Sequence, residues 1–526
     1  MQRRDFLSGA SRAAALWAWT QVFARPVRAE TALRQWVSSA EVFTLGVASG
    51  EPLPASVVIW TRLAPKPLQP DGGMPPQSVL VRWEMAEDAR FTRIVRQGEA
   101  VADPARGHSV HVEVEGLRPA RIYHYRFIAG GQSSPVGRTR TAPEPSAEVD
   151  RLRFVLASCQ HYEMGHFTAH REIAASDIDF VLFVGDYIYE TEAPRRLRMR
   201  QHRPEFGIHF ALPDYRVHHA MYKLDADLRA CHAAHPWLLM WDDHEVRNDY
   251  DGLTDPDGDL STEEFSWVRR WAYQAYFEHM PVSPKRAPVG PHAPMYTQYQ
   301  WGQLADLWLL DTRQHRDANV CMGMHAPFSG RLLWKCDEIE QPARSMLGAR
   351  QEAWFADALA RSAGHWRLIG QTTQMSPGVF RSPLGELVYS DGWDAFPKAR
   401  ERLMAAIAQP RVPDVVCLGG DVHRHVAANL RQDPRDPASP IIASEFVTSS
   451  ITSKGLSELL NSWLKGSNPD LLHVRSDERG YSLFDVTPEL LRCDFRATAF
   501  PVRADARFHT QASYVVERGV AGPRKV

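Results

Sequence analysis

The sequence has almost no excess of charge of either sign: 61 Lys and Arg stand against 63 Asp and Glu in 526 residues, a formal net charge of -2. So neutral a chain has no global field to hold nucleic acid or an anionic membrane, and any binding of phosphate must be local. Cysteine is scarce, six in the whole chain, which excludes a small disulfide-stapled scaffold and leaves each thiol to be read alone. No repeat or low-complexity tract occurs, and no apolar run reaches the roughly 20 residues of a membrane span. What remains, 44% hydrophobic and 24% charged, is the composition of a folded globular protein of ordinary type.

The first residues carry an address. Arg3-Arg4-Asp5-Phe6-Leu7 precedes an apolar stretch from Ala13 to Ala24 and then Val27-Arg28-Ala29, which resembles a twin-arginine (Tat) export signal over residues 1–29 with a small-residue cleavage site. The expectation is a protein handed folded to the Tat machinery and released to the periplasm or the exterior, with peripheral or no membrane contact. Export in the folded state also favours a metal loaded beforehand.

Residues 30–145 read as a small all-β domain. Ser56–Thr61, Val79–Glu84, Ser109–Val114 and Ile122–Phe127 alternate with period two between Gly and Pro turns, the pattern of a β-sandwich. The passage Val114–Tyr125 resembles a corner of a fibronectin III-like domain, and Ala142–Ser146 reads as a linker. From residue 146 onward short buried runs alternate with helical stretches at Phe167–Ser176, Leu224–Ala234 and Gln351–Ser362. That alternation predicts an α/β layered core.

The residues following those runs carry the chemistry: Ser158-Cys159-Gln160, Gly185-Asp186-Tyr187, Trp241-Asp242-Asp243-His244-Glu245, Asp311-Thr312-Arg313 and Gly420-Asp421-Val422-His423. In layered α/β proteins ligands gather at the carboxyl ends of strands. Asp421 and His423, two apart on an extended segment, can both reach a metal. Asp186 just past a strand can bridge two cations, and Tyr189 can ligate a hard trivalent ion as phenolate. Asp242 and Asp243 after an apolar run would cost several kcal/mol to bury without a cation. Cys159 by itself reads as an inert buried thiol.

Taken in order, these motifs resemble the PhoD-type alkaline phosphatases of the metallophosphatase superfamily. The resemblance implies a layered αββα catalytic sandwich over residues 146–526, active on phosphate monoesters, with diesters as a further substrate class, through metal-activated hydroxide. It implies a ferric ion (Fe3+) with Ca2+, Cys159 and Tyr189 on iron, Asp186 bridging, and Asp421 and His423 completing the cluster. Asp243 stands where related enzymes place an Asn, with Asn248 a competing calcium ligand. His244 would protonate the leaving oxygen or contact the phosphoryl group. The stretch Phe500–Val526 could cross the catalytic mouth as a lid, as a C-terminal segment does in that family, or, with Arg503, Arg507 and Arg518, form a surface tail. A phospholipase D-like phosphodiesterase and a non-catalytic secreted binding protein are the alternatives.

Other features are open in the sequence. Arg313 could bind phosphate or pair with Asp311. Arg195, Arg196, Arg198, Arg200 and Arg203 could guide an anionic polymer or phospholipid toward the rim or lie on a solvated face. Cys321 and Cys336 close a short loop and can form a disulfide, which spacing does not decide; Cys231, Cys417 and Cys493 sit among apolar neighbours and read as buried thiols.

Overall fold

The buried runs become the strands of two facing sheets. The computed structural model describes residues 40–201, 210–321, 332–409 and 412–526; the export signal expected over residues 1–29, and Arg203, lie outside the described residues. In the first sheet Leu152–Ala157, Phe180–Val184 and Pro236–Met240 run parallel, and in the second Ala305–Leu309, Trp366–Gly370, Val415–Gly419 and Ile441–Val447 do the same.

Side-chain alternation explains why these strands are apolar on both faces. Val416 and Leu418 join Leu156 and Leu182 in the core between the sheets, while Val415 and Cys417 join Phe355, Leu359 and Met404 beneath the helices Ala349–Ala360 and Pro397–Ile407. Strands covered on both sides have no wet face, hence the near-continuous hydrophobic runs. Helices Thr168–Ala174, Leu212–Lys223, Ala226–Ala234 and Thr262–His279 pack into the core of the first sheet. The chain is thus of α/β type.

Two expectations about the flanks change. The N-terminal β-layer is not self-contained: Val47–Gly50 pairs in parallel with Pro236–Met240, so that this strand, Ser56–Arg62 and Ser109–Glu115 prolong the first sheet itself. Their opposite face packs on Val79–Ala86 and Ile122–Ala129, closing a sandwich around Ile59, Val81 and Tyr125. The C-terminal segment is not a lid. His509–Glu517 and Arg524–Lys525 extend the same sheet toward its edge, and no residue of Phe500–Val526 lines the cavity bordered by Asp186, Asp421 and His423. Alternating apolar residues such as Ala512, Tyr514 and Val516, buried in the core, draw the segment into the ladder.

Cys321 and Cys336 are joined as a disulfide, their Cα atoms 6.4 Å apart, whereas Cys231, Cys417 and Cys493 are buried free thiols. Among the described residues no helix is long and apolar enough to cross a membrane.

Candidate metal centre

The strands of both sheets end at one rim, and there the backbone leaves the β region. Cys159, Asp186, Asp421 and His423 all have positive φ, at 60°, 58°, 62° and 52°. Left-handed backbone costs of order 1–3 kcal/mol at each non-glycine residue, and such conformations cluster at functional sites. Two glycines make the turns possible. Gly185 has φ +104°, and a Cβ there would lie 2.4 Å from Cβ of Asp242; one on Gly420 would lie 2.5 Å from Oγ of Ser158.

The turns bring the donors together. One donor atom each of Cys159, Asp186 and His423 lie within 4.8 Å of one another, and so do those of Asp186, Asp243 and His244. Asp186 belongs to both groups. The Tyr189 hydroxyl donates to Oδ2 of Asp186 at 2.9 Å and sits 3.1 Å from Nε2 of His423. His423 Nδ1 faces the carbonyl of Lys454 at 2.9 Å, which assigns the proton to Nδ1 and leaves Nε2 as a lone-pair donor. Desolvation pushes its imidazole down to about 3, so the ring is neutral as a metal ligand must be.

The centre is short of positive charge. Burial pushes the Asp186 carboxyl well up, with Asp243, Asp242 and Glu245 adding to the effect against His244. Burial likewise raises the Cys159 thiol and the Tyr189 phenol, and the charge of Asp186 raises both further. Oδ1 of Asp186 and Oδ1 of Asp243 are buried with no hydrogen-bond partner. Orphaned carboxylate oxygens beside a thiol and a phenol are what a cation site requires, because a bound cation reverses each of these shifts. The donor set fits a metal.

Asp421 accepts from Thr373 Oγ1 at 2.6 Å and, like Asn248, lines the same cavity of about 540 Å³. Asn248 gives its backbone N–H to Glu190 at 2.8 Å. The other oxygen of Glu190 holds His244 Nδ1 at 2.6 Å. Burial opposes charge on His244, but Glu190, Asp186 and Asp243 together raise its imidazole well above the usual range.

Arg313 lies elsewhere than expected. Its side chain is wholly buried, with Nε on Asp242 and both terminal nitrogens on Asp391 at 2.5 Å. Asp311 takes only its backbone N–H, at 3.0 Å. The guanidinium is saturated by carboxylates and does not line the cavity, so it neither pairs with Asp311 nor faces a substrate. In the arginine-rich loop, Arg198 pairs with Glu192 and Arg200 lies 3.9 Å over the Tyr162 ring while binding Asp225. Those two are structural.

Several contributors escape a linear reading. Glu245 is buried and accepts backbone N–H groups of Tyr187 at 2.6 Å, Asp242 at 2.8 Å and Asp186 at 3.2 Å, so one carboxylate clamps two ligand loops. Ser453 places its hydroxyl 2.8 Å from that of Tyr189 and 3.0 Å from the carbonyl of Cys159. Of these only Glu245, inside the acidic run, leaves a mark in the sequence. Tyr187, by contrast, packs in the core and meets His232 at 2.8 Å.

A family model described as PhoD-like phosphatase matches residues 154–495, and one for the PhoD-like phosphatase N-terminal domain matches residues 28–143. "Alkaline phosphatase D" of Bacillus subtilis (strain 168) is 41% identical over 535 residues, covering 100% of this chain and 89% of that protein. A solved structure of PhoD superposes with a TM-score of 0.87 at 40% identity, covering 93% of this chain and 92% of that one.

Proposed function

Because the chain belongs to the PhoD-like phosphatase family and is a phosphoric ester hydrolase, we propose that it acts on phosphate monoesters, and on diesters, at a centre of one ferric ion with calcium, after Tat-dependent export to the periplasm or exterior. The observation that carries the reading is the convergence of Cys159, Asp186 and His423 within 4.8 Å, with the Tyr189 hydroxyl on two of them. Thiolate and phenolate are donors for ferric iron, whereas the oxygens of Asp243, Asp421 and Asn248 suit calcium. Asp186, shared by both groups, would be the residue that holds both cations. Bound there, the cations would neutralise the phosphoryl oxygens and lower the pKa of water.

The remaining work falls to the chain's own groups. Glu245 fixes the loops of Asp186 and Asp242, Ser453 and Lys454 orient Tyr189 and His423, and Arg313 offsets the charge of the acidic wall from behind. His244, held charged by Glu190, faces the cavity and protonates the leaving oxygen. Cations would screen Asp186 and Asp243, which leaves Glu190 as the group that keeps the proton on His244.

Glu190→Gln should therefore lower kcat by about 10–100-fold. The reaction needs protonated His244, so activity is present below its pKa and lost above it. Weakening the Glu190 charge lowers that pKa and moves the alkaline limb of the kcat profile to lower pH. An unmoved limb would exclude His244 as the acid. The metal reading is tested by elemental analysis and visible absorption of protein exported through its own signal. One iron per chain and a thiolate or phenolate colour are expected; colourless, iron-free and fully active protein would overturn it.

A further inference from the structure

The cavity lined by Asp186, Asp243, His244, Asp421 and His423 also presents Gln374, Arg424 and Lys454, and beside these polar groups it has an apolar wall. That wall is Leu332, Phe380, Leu387, Leu460 and Trp463, supplied by the small sheet of Leu332–Trp334, Phe380–Ser382 and Gly385–Tyr389 and by the helix Glu458–Ser467, together with Val422. Val422 ties the two sides together. It stands between Asp421 and His423, and its side chain packs against the cluster containing Phe380, Leu387 and Leu464. Phe380 and Trp463 meet edge to face at 5.0 Å, and the Trp463 indole is fixed by the carbonyl of Arg381 at 2.9 Å. Yet Trp463 remains 40% exposed and Leu460 36%.

A phosphoryl group fills little of about 540 Å³, and the organic group of an ester is covalently tied to the phosphorus. Once the phosphoryl oxygens sit among Asp186, Asp243 and His423, that organic group must lie in the rest of the cavity. An apolar wall gains by being covered and offers nothing to a hydroxyl-rich group. We propose that the enzyme selects soluble phosphate esters whose alcohol carries an apolar alkyl or aryl group, with Trp463, Leu460 and Phe380 as the specificity wall. This rests on the phosphoesterase reading of the same centre and narrows its substrate class.

The test is a series of n-alkyl phosphates from ethyl to hexyl, whose leaving alcohols have similar acidity, so that chain length changes apolar contact and little else. For the metal-loaded enzyme, kcat/KM should rise by up to about 4-fold per methylene, the factor equal to about 0.8 kcal/mol per buried CH2. In Trp463→Ala and in Leu460→Ala the hexyl-to-ethyl ratio should fall several-fold. Leu459, 81% exposed on the same helix and outside the lining, is the control, and Leu459→Ser should keep the ratio. A flat series, an unchanged ratio in both cavity variants, a loss in Leu459→Ser, or a preference seen only with esters embedded in phosphatidylcholine vesicles would overturn the inference. Absence of metal-dependent turnover of every ester in the series would instead sink the function on which it rests.

Discussion

Asp186→Ala is expected to lower kcat/KM by on the order of 10³-fold or more, while the thermal midpoint of the metal-free protein does not fall. The two halves have one cause. Asp186 is the member common to both donor groups, so under the proposed two-cation centre its loss would remove an oxygen from each cation, and both should leave together. In metal-free protein, however, the carboxylate is buried beside Asp242, Asp243 and Glu245 with Oδ1 unpartnered. Its removal relieves desolvation and like-charge repulsion, against the loss of one hydrogen bond from Tyr189. Elemental analysis, ester turnover and melting of the metal-free variant check this. A variant that retained both metals and normal turnover would show that Asp186 bridges nothing.

Arg313→Met should be the most destabilising single change at the centre, by about 3–5 kcal/mol. The guanidinium is enclosed by Asp242 and Asp391, with Asp243 at 3.5 Å, and burial opposes its charge while those carboxylates hold the proton firmly. Methionine keeps much of the volume but strands Asp242 without a buried cation and leaves Asp243 only the His244 imidazolium. Asp391 would retain Arg316 at 2.9 Å, which keeps the loss from being larger. The expected readout is a fall in the denaturation midpoint accompanied by weaker metal retention. An unchanged midpoint with a raised KM would instead return Arg313 to the phosphate-binding role that its sequence context first suggested.

The parts of the centre legible in the sequence are those written locally. Asp186, Asp243, His244, Asp421 and His423 each follow an apolar run by a few residues, and a strand that ends at a rim carries its next residues there whatever the remainder of the chain does. Period-two alternation and buried runs likewise announce a layered α/β body before any coordinates. Cys159 needed the resemblance, because a thiol after a strand reads equally well as core.

What the sequence could not decide depends on groups distant along the chain. Glu190 meets His244 across 54 residues, Arg313 meets Asp391 across 78, and Ser453 reaches Tyr189 across 264. Nothing in the spacing of such residues encodes the meeting; the packing of two sheets does. The same holds for the C-terminal strands, whose apolar alternation suits an edge ladder, and for the wall of Phe380 and Trp463. Residue type and strand position thus determined which atoms could bind a cation. Only the tertiary fold determined which charges offset them, because a buried charge takes its partner from whatever is adjacent in space.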